Sequence, residues 1–113
     1  MTEGIGQNVV IDLPSIVDSI PDKWYNATLS QVNESLVRFG IFEGEFHWHK
    51  HDLEDEFFFV VSGTLLLDVE DKTYTLIPQQ GFTVPKGVQH RTRAEEKTVV
   101  LMIETDTVKP KGD

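Results

Sequence analysis

Three histidines stand at every second position, His47, His49 and His51, in the stretch GEFHWHKHDLEDEFFFVVSG that runs from Gly44 to Gly63. They lead into the acidic run Glu54-Asp55-Glu56, and a solid apolar run, Phe57 to Val61, closes on Ser62-Gly63. In an extended strand, residues two apart point the same way. Histidines at this spacing can therefore converge on one point, and a carboxylate just past a turn can meet them. Neutral imidazole suits first-row transition metals, and a carboxylate makes the site a mixed nitrogen and oxygen one. A strand running straight would put Glu56 on the face opposite His49 and His51, but the polar stretch Asp52 to Asp55 reads as a turn that resets the facing. Far along the chain, His90 follows Pro85-Lys86-Gly87, a sharp bend able to aim a histidine inward from a neighbouring strand.

The elements that must position these side chains read mostly as strands. Near the N-terminus, Val9 to Ile11 is expected to form a short strand. Asp12 caps a short helix with Pro14 in its first turn and Ile16, Val17 and Ile20 on one side, and Pro21 stops it. The segment from Pro21 to Ser35 is polar and irregular, with Trp24 and Tyr25 read as packing anchors for an N-terminal arm. Strands follow at Leu36 to Phe42, Phe46 to His51 and Glu56 to Val61. Thr64 to Glu70 and Thr73 to Ile77 flank a two-residue hairpin loop, Asp71-Lys72. Phe82 to Val84, Arg91 to Arg93 and Thr98 to Glu104 complete the set. Many short strands with closely spaced turns, and helix only near the N-terminus, predict an all-β sandwich or barrel.

Bulk properties narrow the function. A chain of 113 residues, with 39% hydrophobic and 26% charged residues, is one ordinary globular domain. A net charge of −9 argues against nucleic acid and against anionic membrane surfaces, both of which demand clustered Lys and Arg. No stretch approaches a membrane span of about 20 apolar residues, and MTEGIGQNVV lacks the basic and apolar regions of a signal peptide, which favours the cytoplasm. With no cysteine, thiolate ligands and thiol nucleophiles are excluded.

Two motifs together carry a family resemblance. His49-Lys50-His51, four residues, Glu56, six residues and Gly63 form the first. Gly81 followed by Pro85-Lys86-Gly87-Val88-Gln89-His90 forms the second. In this order and at this distance they resemble the two motifs of the cupins, in particular small single-domain cupin-2 proteins of the mannose-6-phosphate isomerase-like kind. The likeness covers Gly44 to His90 and departs at Ala94, where the family often carries an asparagine. It implies a double-stranded β-helix, the jelly-roll cupin barrel, with a short N-terminal helix and arm. On that reading residues 1–30 form the arm, 31–107 the cupin domain and 108–113 a loose tail.

The resemblance further implies that His49, His51, Glu56 and His90 hold a divalent transition metal, one of iron, manganese, nickel, zinc or cobalt. His47 is expected at the rim or behind the ligands. Together with the turn carboxylates Glu54 and Asp55, it supplies the candidates for acid–base catalysis. The function implied is a metal-dependent enzyme, isomerase-like or dioxygenase-like, acting on a small polar molecule. The alternative is a non-catalytic binding or sensor module whose pocket the metal organises. Strand parity sends Phe57, Phe59 and Val61 away from the metal side, with Leu66 one strand on. So much contiguous apolar surface predicts a homodimer through a sheet face, with the arm contributing.

Overall fold

The computed structural model describes residues 6–109 and residue 112, and among these it contains one helix and seven strands. Helix α1 spans Leu13–Asp18, and the strands are β1 Tyr25–Val32, β2 Ser35–Glu45, β3 Glu56–Ser62, β4 Leu65–Val69, β5 Lys72–Leu76, β6 Gly81–Val84 and β7 His90–Thr105. All pairings are antiparallel, in the order β1-β2-β7-β3-β6, with β4 bridging β5 and β7. The result is the all-β jelly roll expected.

The long strand β7 organises the barrel. It pairs with β2 along almost its whole length, while its other edge pairs first with β4 (His90 to Arg93) and then with β3 (Val99 to Ile103). The change of partner coincides with a bulge. Phe42 faces Thr98 and Gly44 faces Ala94, so three residues of β7 oppose one of β2. Two extra residues leave the parity unchanged, and even-numbered side chains stay inward on both sides: His90, Thr92 and Ala94, then Thr98, Val100, Met102 and Glu104. The segments read as two strands, Arg91 to Arg93 and Thr98 to Glu104, are thus one bent strand, because Glu95, Glu96 and Lys97 bulge into solvent without breaking it.

Alternation sorts the rest. Glu56, Phe58 and Val60 of β3 point inward while Phe57 and Phe59 are half-buried on the outside. Phe42, Phe58, Val60, Leu65, Leu67, Val84, Val100 and Met102 fill the interior. A second cluster lies on the outer face, where α1 lays Leu13, Ile16 and Val17 over Phe39, Ile41 and Val99. The Asp12 carboxylate caps α1 by accepting from the Ser15 amide at 3.4 Å.

Four further expectations are corrected. Val9 to Ile11 forms no strand; Val9 and Val10 are exposed and pair with no other described residue that would hold them extended. Pro21 to Ser35 is not irregular, since Tyr25 to Val32 is β1, whose Tyr25, Ala27 and Leu29 face the outer cluster while Asn26 and Thr28 face in. The tight hairpin loop is Glu70-Asp71 rather than Asp71-Lys72, because Val69 pairs with Lys72 and Glu70 takes the left-handed conformation (φ 53°). Phe46 to His51 is no ladder strand; only His49 bridges to His90. Of the tail expected to be loose, residues 110, 111 and 113 lie outside the described residues, while Gly112 sits close to the His49 side chain.

One buried ion cluster clamps β4 to β7 on the outside of the barrel. Asp68 accepts from Arg91 Nε at 2.8 Å, from Arg93 Nε at 2.7 Å and Nη2 at 3.1 Å, and from Thr73 Oγ1 at 2.6 Å. Arg93 above all holds the Asp68 carboxyl well below the usual carboxylate range. Asp68→Asn should cost about 1–2 kcal/mol, because charge-assisted bonds are lost but both arginines stay about a quarter exposed. The depressed pKa sets the sign. The advantage of the wild type over Asp68→Asn should be full above pH ~4, the unfolded value, and shrink as pH falls below it. Urea midpoints of both proteins across pH 2.5–7 measure this; a difference that does not shrink in acid would exclude the ion cluster as its source.

Candidate metal centre

The histidine segment leaves β2 at Glu45, which faces Arg93, and the Phe46 amide donates to Thr92 O at 2.9 Å. His49 then pairs with His90, so one more residue is used on this side than on β7. A single extra residue flips the faces. The inward series of β2, which includes Phe42 and continues to Phe46, passes to His49 and His51. His47 falls at the crossover and stays exposed, with its ring centroid 5.2 Å from that of His49. The shared parity of the three histidines is broken here, and only two of them reach the interior.

The loop after His51 is tied to the bend that carries His90. The Gly87 amide donates to His51 O at 2.7 Å and the Lys86 amide to Asp55 Oδ1 at 2.9 Å. Gly87 has φ +80°, a conformation that glycine adopts without strain and that aims its N–H back at the loop. Glu54 is buried and accepts from Thr107 Oγ1 at 2.8 Å. So anchored, the loop turns the chain and starts β3 with Glu56 facing inward.

His49, His51, Glu56 and His90 come together as the sequence reading required. All four are buried, and one ligand atom from each lies within 4.8 Å of the others. Glu56 Oε1 stands 3.3 Å from His51 Nε2 and 3.1 Å from His90 Nε2. The ring centroids of His49 and His90 are 4.3 Å apart.

The residues present fit a transition metal. His49 Nδ1 lies 3.0 Å from His47 O, so Nδ1 carries the proton and Nε2 keeps a lone pair, while His90 Nδ1, 3.0 Å from Val88 O, is held by its own backbone contact with Nε2 turned to Glu56. The His47 backbone thus orients the His49 ring although its own side chain stays outside. Burial, foremost, lowers the His49 pKa to about 4, which keeps this imidazole neutral near pH 7. Burial also works against the charge of Glu56, but hydrogen bonds from His51 and His90 outweigh it and hold the carboxyl below its usual range. Bonds of about 2.1 Å place opposite ligands about 4.2 Å apart, within the spread of these atoms. Three imidazoles and a carboxylate select no single metal among iron, manganese, nickel, zinc and cobalt.

A cavity of about 30 Å³ adjoins His49 and Glu56, walled by Trp24, Phe42, Phe46, Phe58 and Met102, with Asn26 and Thr92 as polar groups. Trp24 stacks on Phe42 at 4.6 Å and on Phe46 at 5.3 Å, so the residue read as a packing anchor also faces the site. Sequence reasoning passed over Glu104 and Arg38. Glu104 is buried beside Glu56, and burial first, then the Glu56 carboxylate, pushes its pKa up. The signal was there: Glu104 continues the inward series Val100, Met102, and Arg38 the series Leu36, Gly40, Phe42.

The Cupin domain family matches residues 36–105. Over 94 residues the chain is 40% identical to the uncharacterized protein YdbB of Bacillus subtilis, covering 82% of this chain and 83% of that one. Among solved structures, a cupin-2 domain containing protein from Shewanella frigidimarina superposes with a TM-score of 0.80 at 31% identity, over 85% of this chain and 94% of that one. Protein NMB1881 from Neisseria meningitidis superposes with a TM-score of 0.76 at 25% identity, over 87% of this chain and 100% of that one.

The lowered His49 pKa fixes a pH dependence. Between pH 6.5, the ordinary value, and about 4 the unfolded chain protonates this residue while the folded metal-free protein resists. The unfolded state therefore binds more protons in that window, and stability falls as pH drops through it. Denaturant midpoints of the metal-free protein should decline across this interval, and less steeply for His49→Gln. Equal slopes for the two proteins would show that His49 is not protonated on unfolding there.

Proposed function

The chain belongs to the cupin family, and on that premise we propose that it is a metal-dependent enzyme acting on a small polar molecule, in isomerase-like or dioxygenase-like chemistry. The observation that carries the proposal is the buried convergence of His49, His51, Glu56 and His90 beside a cavity with an aromatic wall and two polar groups. Bound there, a divalent ion would polarise a substrate oxygen and orient the molecule in its open positions. Asn26 and Thr92 can hydrogen-bond the substrate, while Trp24, Phe42 and Phe46 exclude water and limit its size. Of the three candidates for moving a proton, His47 is exposed at the rim, Glu54 is buried with Thr107 donating to it, and Asp55 accepts from the Lys86 amide. We therefore assign proton exchange with solvent to His47.

The outer face supports a homodimer as partner. Phe57 faces Ile103 and Phe59 faces Leu101 across β3 and β7, and Val61 and Ile103 are 38% and 42% exposed. Beside them an apolar groove of about 330 Å³ runs between α1 and β3, lined by Leu13, Pro14, Val17, Val61 and Val99. A second copy laid on this strip, with α1 contributing, would cover it. Light scattering should give twice the 12.9 kDa chain mass for the wild type and the chain mass for Ile103→Glu. A monomeric wild type at micromolar concentration would overturn the dimer.

Metal analysis tests the central proposal. Reconstitution with each of the five metals followed by elemental analysis should give about one ion per chain, and His49→Ala and His90→Ala should lose it. Oxygen uptake and isomerisation would then be followed across sugars, diketones and thiols. Turnover that vanishes on chelation supports the enzyme. Tight reversible binding with no turnover in the panel would replace it with a metal-organised binding module. A wild type that takes up no metal would overturn both.

A further inference from the structure

The ligand set does not use two polar side chains on the inner face, Glu104 and Arg38. Phe57 pairs with Ile103, so one position on, Glu104 of β7 stands beside Glu56 of β3, its carboxyl acting on that of Glu56 and its buried Oε2 making no hydrogen bond among the described residues. From the other side Arg38 of β2 brings Nε to 3.2 Å from Glu104 Oε1. Its Nη1 donates to Thr28 Oγ1 at 3.0 Å and its Nη2 to Asn26 Oδ1, both on β1. The side chains of Glu104 and Arg38 are only 1% and 13% exposed.

A pair so placed is a poor device for stability alone. Buried polar and ionisable groups often contribute less than apolar residues of equal volume, and the neighbouring inward positions are apolar: Met102, Phe58 and Val60. What the pair does have is an unbroken line of contacts from β1 to the ligand, running Asn26 and Thr28, Arg38, Glu104, Glu56. Ligating carboxylates are commonly held by partners of this kind, which fix the ligand oxygen and tune affinity.

We infer that Arg38 and Glu104 are positioning residues that hold the Glu56 carboxylate toward His51 and His90 and so set the affinity of the centre for its metal. The inference rests on the metal-binding reading above, and wild-type binding, measured alongside, separates the two. In chelator competition with Co²⁺, Glu104→Leu should bind roughly 10- to 100-fold more weakly than wild type. Glu104→Gln, which keeps a hydrogen-bonding group against Glu56, should recover most of that loss. The Co²⁺ absorption spectrum should change in Glu104→Leu and be restored in Glu104→Gln, a signature that a general loss of packing would not produce. Arg38→Met should weaken binding as well, and adding it to Glu104→Leu should cost little more, as residues acting in one line are not additive.

Wild-type affinity and spectrum in Glu104→Leu would overturn the inference while leaving the metal site standing. Should that variant not fold, Thr28→Val removes one of the contacts on Arg38 at nearly constant volume. It is expected to weaken Co²⁺ binding several-fold, and unchanged binding would equally overturn the inference. No Co²⁺ binding by the wild type would remove the premise and the inference with it.

Discussion

Glu56 is an ionised carboxylate only 5% exposed inside an apolar barrel, and burying such a charge is unfavourable by several kcal/mol unless other groups answer it. His51 and His90 answer it from the same side, both reaching Oε1. In the metal-free protein they can do so only as hydrogen-bond donors, with a proton on the nitrogen facing Glu56. A divalent ion at the same point would offset the carboxylate directly and use the histidines as lone-pair donors. Proton and metal ion thus compete for the same atoms. His49, neutral by burial, is already in the metal-binding form, whereas His51 and His90 are the rings whose protons metal entry would displace.

Bringing four side chains from three parts of the chain to one point is a problem of parity, and two irregularities in one β-ladder solve it. Beyond Phe42, β7 gains two residues over β2, which bends the barrel without changing faces. Before His49, the other strand gains a single residue, which does change faces. Without that second irregularity Phe46, Trp48 and Lys50 would point inward and the imidazoles would point to solvent. The bend at Gly87 performs the same service for His90, delivering it onto β7 in phase with Thr92 and with the later series that ends at Glu104.

This explains which features were legible in the sequence. Residue types, local spacing and the resemblance they carry picked out the four residues that converge, since two histidines at one strand interval, a glutamate past a turn and a histidine after a proline–glycine bend are short-range patterns. Period-two alternation likewise separated Phe58 and Val60 from Phe57 and Phe59 without any knowledge of pairing. What depended on partners was not legible. His47 lies at the rim, as expected, but its spacing is that of His49 and His51, and the physical reason for its place is the register against β7. β1 looked irregular because its alternation is of small and polar residues, and its apolar outer side is defined by α1 packing on it. Glu104 and Arg38 looked like ordinary charged strand residues until β2, β7 and β3 were laid side by side.

The same ladder divides the centre into a firm half and an adaptable half. Glu56 and His90 belong to regular strands, paired to β6 and to β4. His49 and His51 sit on a segment whose described backbone bonds to the barrel are few: Phe46 to Thr92, the His49–His90 bridge, and Gly87 to His51. Around them Trp48 is 43% and Leu53 82% exposed, with little apolar contact to hold them. Local opening is easiest where buried contacts and ladder bonds are sparse. Such opening would move two imidazoles and Phe46 together while Glu56 and His90 keep their places. A cavity of about 30 Å³ is too small for a substrate of several heavy atoms in the geometry described. Room for a larger molecule would be most easily made on the side of His49 and His51, where the chain is tied to the barrel by a few isolated bonds and not by a sheet.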